Sequence, residues 1–182
     1  GSATIYYMFH IGVPSLGNPP FNLYYSEIDI TASGGLGAVT ANKNISIPTS
    51  FGNCSEKMSA TKHCNGTDYW LLVHSYNGNT FRAYPVTAAG VGAPVVSNIG
   101  AVFNNTAGND GMGQMKISPN GTKVAMALWL TSIAEVFDFN KNTGVVSNLI
   151  SLGSTGLYPY GVEFSHDNSK IYTSNGDTPG YI

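Results

Sequence analysis

Residues 95–98 spell VVSN, and the same four letters return at residues 145–148. The flanks repeat with them. Residues 87–98 (TAAGVGAPVVSN) lie without a gap over residues 31–42 (TASGGLGAVTAN), at an offset of 56. Just upstream, 81–87 parallels 25–31 at that same offset, and 134–140 at an offset of 53. A second element, KISPNGTKVAMA at 116–127, lies over EFSHDNSKIYTS at 163–174 (offset 47) and over TKHCNGTDYWLL at 61–72 (offset 55). Each copy of that element reads as strand, tight turn, strand. Recurrence at this period describes a chain of similar supersecondary units, each too small to bury its apolar face except against the next.

The turn residues identify the unit. Asn65-Gly66, Asn120-Gly121 and Asp167-Asn168 sit between strand-like runs and tolerate positive φ, so hairpins that reverse within two residues are expected there. The strands in order give an incomplete first blade at 3–46, a second at 57–98, a third at 113–150 and the start of a fourth at 160–182. The expected fold is all-β: β-propeller blades, each a four-stranded antiparallel sheet, in an incomplete propeller of about three to four blades. The chain is expected to begin and end inside blades. Both DYWLLVHS and TKVAMALW are apolar at successive positions, so these strands are expected to be covered on both faces.

Apolar residues make up 42% of the chain and charged residues only 10%, with Gly, Asn, Ser and Thr supplying the polarity. That balance suits an extracellular, turn-rich β protein. With seven Lys, one Arg and a formal charge of −2, there is no basic stripe for a phosphate backbone, so no nucleic-acid partner is expected. No apolar run has the length of a membrane-spanning helix, and no membrane insertion is expected.

Cys54 and Cys64 flank the first strand of the second blade. A strand of about six residues spans roughly 20 Å, so a Cys54–Cys64 disulfide requires the loop to fold back along the strand; otherwise both are free thiols.

Several stretches carry a resemblance: YYSEID with GGLGAVTANKNI, KHCNGTDYWLLVH, MKISPNGTKVA, VFDFNKNTGVVSN and YGVEFSHDNSKIYTSN. Together they resemble the WD-repeat-like β-propeller modules of large secreted surface proteins of the Bacteroidetes type IX secretion group. The resemblance covers nearly the whole chain and implies a parent propeller of about six or seven blades. It describes blade construction and names no ligand. His166 stands where the usual pattern has Pro, and Cys64 where a small residue is common; neither departure disturbs the fold.

No established catalytic motif is present: no G-x-S-x-G elbow, no phosphate-binding glycine loop, no zinc spacing among the four His. No catalytic residue, metal site or cofactor is therefore assigned. His63 and His74 lie in one hairpin whose pairing indices sum to about 131, so they are not cross-strand partners, and both are read as blade-edge or channel-lining groups. NDGMG (109–113) lacks the alternating oxygen ligands of a calcium loop and reads as the loop leading into the third blade. Five N-x-Ser/Thr triplets, at Asn44, Asn53, Asn65, Asn104 and Asn120, are read as turn chemistry.

The candidate ligand-binding residues are Trp129, Tyr76, Tyr158 and Tyr160, flat aromatic faces at strand ends and loops, and Lys62, Lys116 and Glu163, expected to share one channel opening. Trp70 is expected in the packing between blades. The favoured function is a non-catalytic extracellular binding, adhesion or assembly module that recognises a cell-surface glycan or protein through propeller-face loops. One alternative is part of a propeller enzyme acting on polysaccharide, with catalytic carboxylates partly in other blades. Another is a structural repeat that self-associates through exposed blade edges.

Overall fold

The computed structural model describes residues 3–12, 21–49, 52–104, 111–129, 131–154 and 158–175. It is all-β, apart from a single helical turn at Ala32–Gly35 whose Ser33 and Gly34 carry left-handed φ. The first sheet holds β1 (Ile5–Gly12), β2 (Asn22–Asp29), β3 (Ala38–Val39) and β4 (Ile45–Ile47). The second holds β5 (Cys54–Lys62), β6 (Tyr69–Ser75), β7 (Gly78–Thr87), the two-residue β8 (Gly90–Val91) and β9 (Val95–Phe103). The third holds β10 (Met115–Ile117), β11 (Lys123–Leu128), β12 (Ile133–Phe139) and β13 (Val146–Ser154), and the last pairs β14 (Pro159–Phe164) with β15 (Ile171–Asn175). All pairings are antiparallel.

Successive sheets stack in the same sense. The first strand β10 of the third sheet lies against β5 before it and β14 after it, while the last strands β9 and β13 lie against each other. First strand on first strand and last on last is the radial arrangement of propeller blades.

The three repeated hairpins share one geometry, which corrects the expected two-residue reversals. They close through His63 N–H to Asp68 O (2.8 Å), Ser118 N–H to Lys123 O (2.9 Å) and Ser165 N–H to Lys170 O (2.9 Å), leaving four residues in each loop. Within each loop a tighter turn is closed by the N–H of Gly66, Gly121 or Asn168, all at positive φ. Asn65, Asn120 and Asp167 accept the backbone N–H two residues on, a side-chain mimic of the turn itself. The reversal therefore comes from a type of loop in which the αL residue follows the turn, and the dipeptides marked its place but not its length.

Two strands depart from regular pairing. The run 38–46 breaks into β3 and β4, both on β2, because Asn44 has φ +54° and its N–H turns to the Ser26 hydroxyl. The last strand of the second blade runs on to Phe103 through a bulge at Gly100, φ +91°. A Cβ there would meet Phe137 at 2.8 Å and the Glu135 carboxylate at 2.9 Å, so the next blade requires glycine at this position.

Period-two alternation explains the continuous apolar runs. On β6, Trp70 and Leu72 pack toward the third sheet with Phe81, Phe103, Met126, Leu128 and Phe137, whereas Leu71 and Val73 pack toward the first with Leu23, Ile47 and Tyr84. On β11, Val124, Met126 and Leu128 face back to the second sheet, and Ala125 and Ala127 face forward to Val162 and Phe164. Each central strand is thus buried on both faces.

Cys54 opens β5 in a fully buried position and Cys64 lies exposed in the hairpin at the opposite end of that strand; both are free. The disulfide is thereby excluded, since nine extended residues separate the ends by about 30 Å. Burial pushes the Cys54 thiol up to about 12.

Trp70 anchors the seam between the second and third sheets. Its indole N–H donates to Lys141 O at 2.8 Å, its ring meets Phe139 edge-on at 6.4 Å, and Gly144, at φ +76°, leaves the room a Cβ would take from the ring. Trp70→Ala is expected to lower unfolding free energy by about 3–5 kcal/mol in urea denaturation, while Tyr69→Ala on the exposed neighbouring position costs little.

Candidate functional site

Antiparallel order places the three repeated hairpins at one end of the blades. The starts of β5, β10 and β14 and the ends of β6 and β11 lie at the other, called here the mouth. At the mouth the structure brings together three of the expected ligand-binding residues. Trp129 follows β11 and its ring lies 5.8 Å from that of Tyr158, tilted by 48°. Tyr158 and Tyr160 are 40% and 41% exposed. The indole N–H of Trp129 is buried and has no partner among the described residues. Its backbone N–H reaches Met112 O at 3.5 Å.

Two residues that the sequence reading passed over organise this end. Glu56 on β5 accepts the Gly113 N–H at 2.6 Å, and its negative charge, together with a hydrogen bond, raises the Tyr160 phenol above the ordinary tyrosine range. Lys57, beside it, is fully buried, and its ammonium donates to Gly111 O (3.2 Å), Met112 O (2.7 Å) and Gly113 O (2.8 Å). Three donors meet three acceptors, and the Phe103 ring lies 5.5 Å from the nitrogen. Burial lowers Lys57 to about 7. The three carbonyls act in the opposite direction, since each bonds the charged form. Two charged letters inside a strand, SEKMSA, were the only sequence signal of this cluster.

The other expected residues divide. Lys116 and Glu163, on β10 and β14, form an ion pair at 3.3 Å, both partly exposed. Beside Glu163 lies a cleft of about 270 Å³ lined by Gln114, Gly161, Thr173 and Ser174 among others. Lys62 does not join them: it is exposed opposite Tyr69, and Thr61 occupies the position equivalent to Lys116 in the repeat. Tyr76 stays at the preceding seam, its ring 5.0 Å from Phe21 and its N–H on Asn53 O.

His74 is neither blade-edge nor channel-lining. It is wholly buried, with its ring 4.6 Å from Phe81 and 4.4 Å from Phe103, and only Nδ1 is bonded, to Ser75 O at 2.9 Å. Its Nε2 has no partner among the described residues, and burial lowers its pKa to about 3. His63 stacks on Trp70 at the hairpin end, where Nδ1 accepts the Asn65 N–H.

The described carboxylates are each engaged within the fold. Glu27 bonds Asn42, Asp29 Thr31, Asp68 Asn65, and Asp138 both Lys123 and Asn148. Asp167 bonds Ser165 and Ser169, and the buried Glu135 takes the Ala101 N–H from the neighbouring blade. Among the described residues no group of three or more His, Cys, Asp or Glu is placed to hold a metal ion.

A larger concavity, about 600 Å³, is at the hairpin end and is lined by Thr122, Lys123, Asp138, Lys141 and Asn142 among others. It is a weaker candidate than the mouth, because Lys123 and Asp138 neutralise each other and Lys141 is bonded to Asn120 O, whereas the mouth presents the exposed Tyr158 and Tyr160 rings beside Trp129.

No family model matches the chain, and no curated protein matches it. Solved structures do. A "putative 6-phosphogluconolactonase" of Bacteroides fragilis aligns over 84% of this chain with a TM-score of 0.58 and 13% identity. A protein from Lactobacillus plantarum aligns over 84% as well, with a TM-score of 0.53 and 16% identity. The chain spans 44% of the length of each. At these identities the likeness is one of fold, and the propeller architecture is what they share.

The buried imidazole sets a pH response. Between about 3 and the ordinary value of 6.5 the unfolded chain binds a proton that folded His74 refuses, so stability is complete above about 6.5 and falls as pH drops through that window. The slope from this group is about 1.4 kcal/mol per pH unit. Urea unfolding at stepped pH is expected to show it, and His74→Phe to flatten it.

Proposed function

We propose that the chain is a non-catalytic binding module of a secreted surface protein, taking a glycan at the mouth of its blades. The supporting observation is the tilted Trp129–Tyr158 pair, with the exposed Tyr158 and Tyr160 rings at the same end of the blades. Aromatic faces receive the C–H side of a sugar ring. The Lys116–Glu163 pair and the cleft beside Glu163 lie further along β10 and β14, toward the hairpins of the same blades. The engagement of the described carboxylates in structural bonds supports binding over hydrolysis, which needs two carboxyls free to converge. The extracellular setting rests on the low charge, the turn-rich composition and the resemblance to type IX secretion-associated propellers.

A second reading, a propeller enzyme acting on a sugar derivative, is favoured by the lactonase name carried by the Bacteroides fragilis structure. Hydrolysis of 6-phosphogluconolactone and of a polysaccharide panel by the purified chain tests that reading directly.

The binding reading predicts hits on a glycan array, followed by calorimetry on the best ligand. Trp129→Ala and Tyr158→Ala are each expected to weaken binding by about tenfold or more, as loss of one stacked ring does. Unchanged affinity in both variants would remove the mouth as the site.

A further inference from the structure

Resting on the mouth reading above, we propose that Lys57 is the positioning residue of the mouth: its buried ammonium gathers the carbonyls of residues 111–113 and thereby fixes the Met112 carbonyl on which Trp129 hangs. Four contacts make the path continuous. Lys57 Nζ donates to Met112 O at 2.7 Å, and the Trp129 backbone N–H meets that same oxygen at 3.5 Å. Gly113 N–H is held by Glu56 at 2.6 Å, and the next amide, Gln114 N–H, donates to Tyr160 O at 2.7 Å. One short segment thus ties Trp129 and Tyr160, on two different blades, to a single lysine on a third.

The geometry is that of a cation gathering carbonyls. Three consecutive oxygens of one segment converge on one nitrogen, where a bound metal ion elsewhere would do the same task. A chain-borne cation cannot dissociate, but it can lose a proton. The neutral amine keeps two N–H donors, so one of the three carbonyls loses its bond in a dry site and the segment must relax.

The groups facing Lys57 leave the 6–10 window to it. Glu56 lies beside it on β5, His74 on β6 is held neutral with a pKa of about 3, and Tyr160 from β14 is raised above the ordinary tyrosine value. Burial pulls Lys57 to about 7, against the opposing pull of the neighbouring Glu56 charge, which places its titration inside that window.

The chain contains two tryptophans, which permits a ligand-free test. The protein is labelled with 5-fluorotryptophan, and its ¹⁹F spectrum is followed from pH 6 to 10, with Trp129→Phe assigning the two resonances. The Trp129 resonance is expected to move along a titration curve independent of any change at Trp70, whose ring stacks on His63 at the far end of the seam. In Lys57→Met, which keeps the side-chain length but supplies no donor, the titration is expected to vanish and the Trp129 resonance to sit elsewhere. A flat Trp129 resonance in the wild-type protein overturns the proposal, and so does an unmoved, still-titrating one in folded Lys57→Met. The wild-type titration decides the matter if Lys57→Met fails to fold. Should Trp129 titrate with Lys57 while Trp129→Ala retains glycan affinity, the positioning role stands and the mouth as binding site falls.

Discussion

The whole structure depends on sheets buried on both faces. A four-stranded sheet with only one neighbour would leave half of β6 or β11 in water, and the alternation of Trp70 and Leu72 against Leu71 and Val73 makes that costly on either side. At roughly 25 cal/mol per Å² of apolar surface, each fully buried Leu or Val on these strands contributes on the order of 1.5–3 kcal/mol. Stability is therefore distributed along seams between neighbours, as in other repeat architectures, and a seam is the natural unit in which it is lost.

The seam between the second and third sheets carries more than apolar contact. Lys57, His74 and Glu135 are all buried within or beside it, and each is a group whose burial costs free energy unless bonded. Lys57 has three carbonyls, and Glu135 has the Ala101 N–H across the seam. His74 remains neutral with one nitrogen unbonded. Polar bonds that cross from one blade to the next fix register where greasy surfaces alone would allow sliding, and two of these three groups make such a bond. The specificity of blade docking here is thus electrostatic as much as it is packing.

The same cross-blade bonds place the candidate site. Trp129, Tyr158 and Tyr160 come from the third and fourth units, and their meeting is set by the segment at residues 111–113, which the second unit holds through Glu56 and Lys57. A binding surface assembled from several blades in this manner varies by exchange of loop residues while the sheets stay constant.

Much of the architecture was legible in the letters. Repeats at offsets of 47 to 56 gave the unit, continuous apolar runs gave two-sided burial, and Asn-Gly or Asp-Asn marked each hairpin. Tyr158 and Tyr160 were legible as exposed aromatics, and Trp129 as an aromatic just past a strand, because strand ends follow from turn spacing. What stayed hidden was long-range. The pairing of Lys116 with Glu163 and the exclusion of Lys62 turn on a one-residue register, which flips a side chain to the other face. The burial of His74 and Lys57 and the bulge at Gly100 depend on what the neighbouring blade presents. By itself, then, the sequence determined the repeating sheet and its turns, since those rest on local periodicity and backbone preference. Only the tertiary structure decided which polar groups meet across the seams, because residues such as Lys57 and Met112 are 55 apart in the chain and nothing local to either records the other.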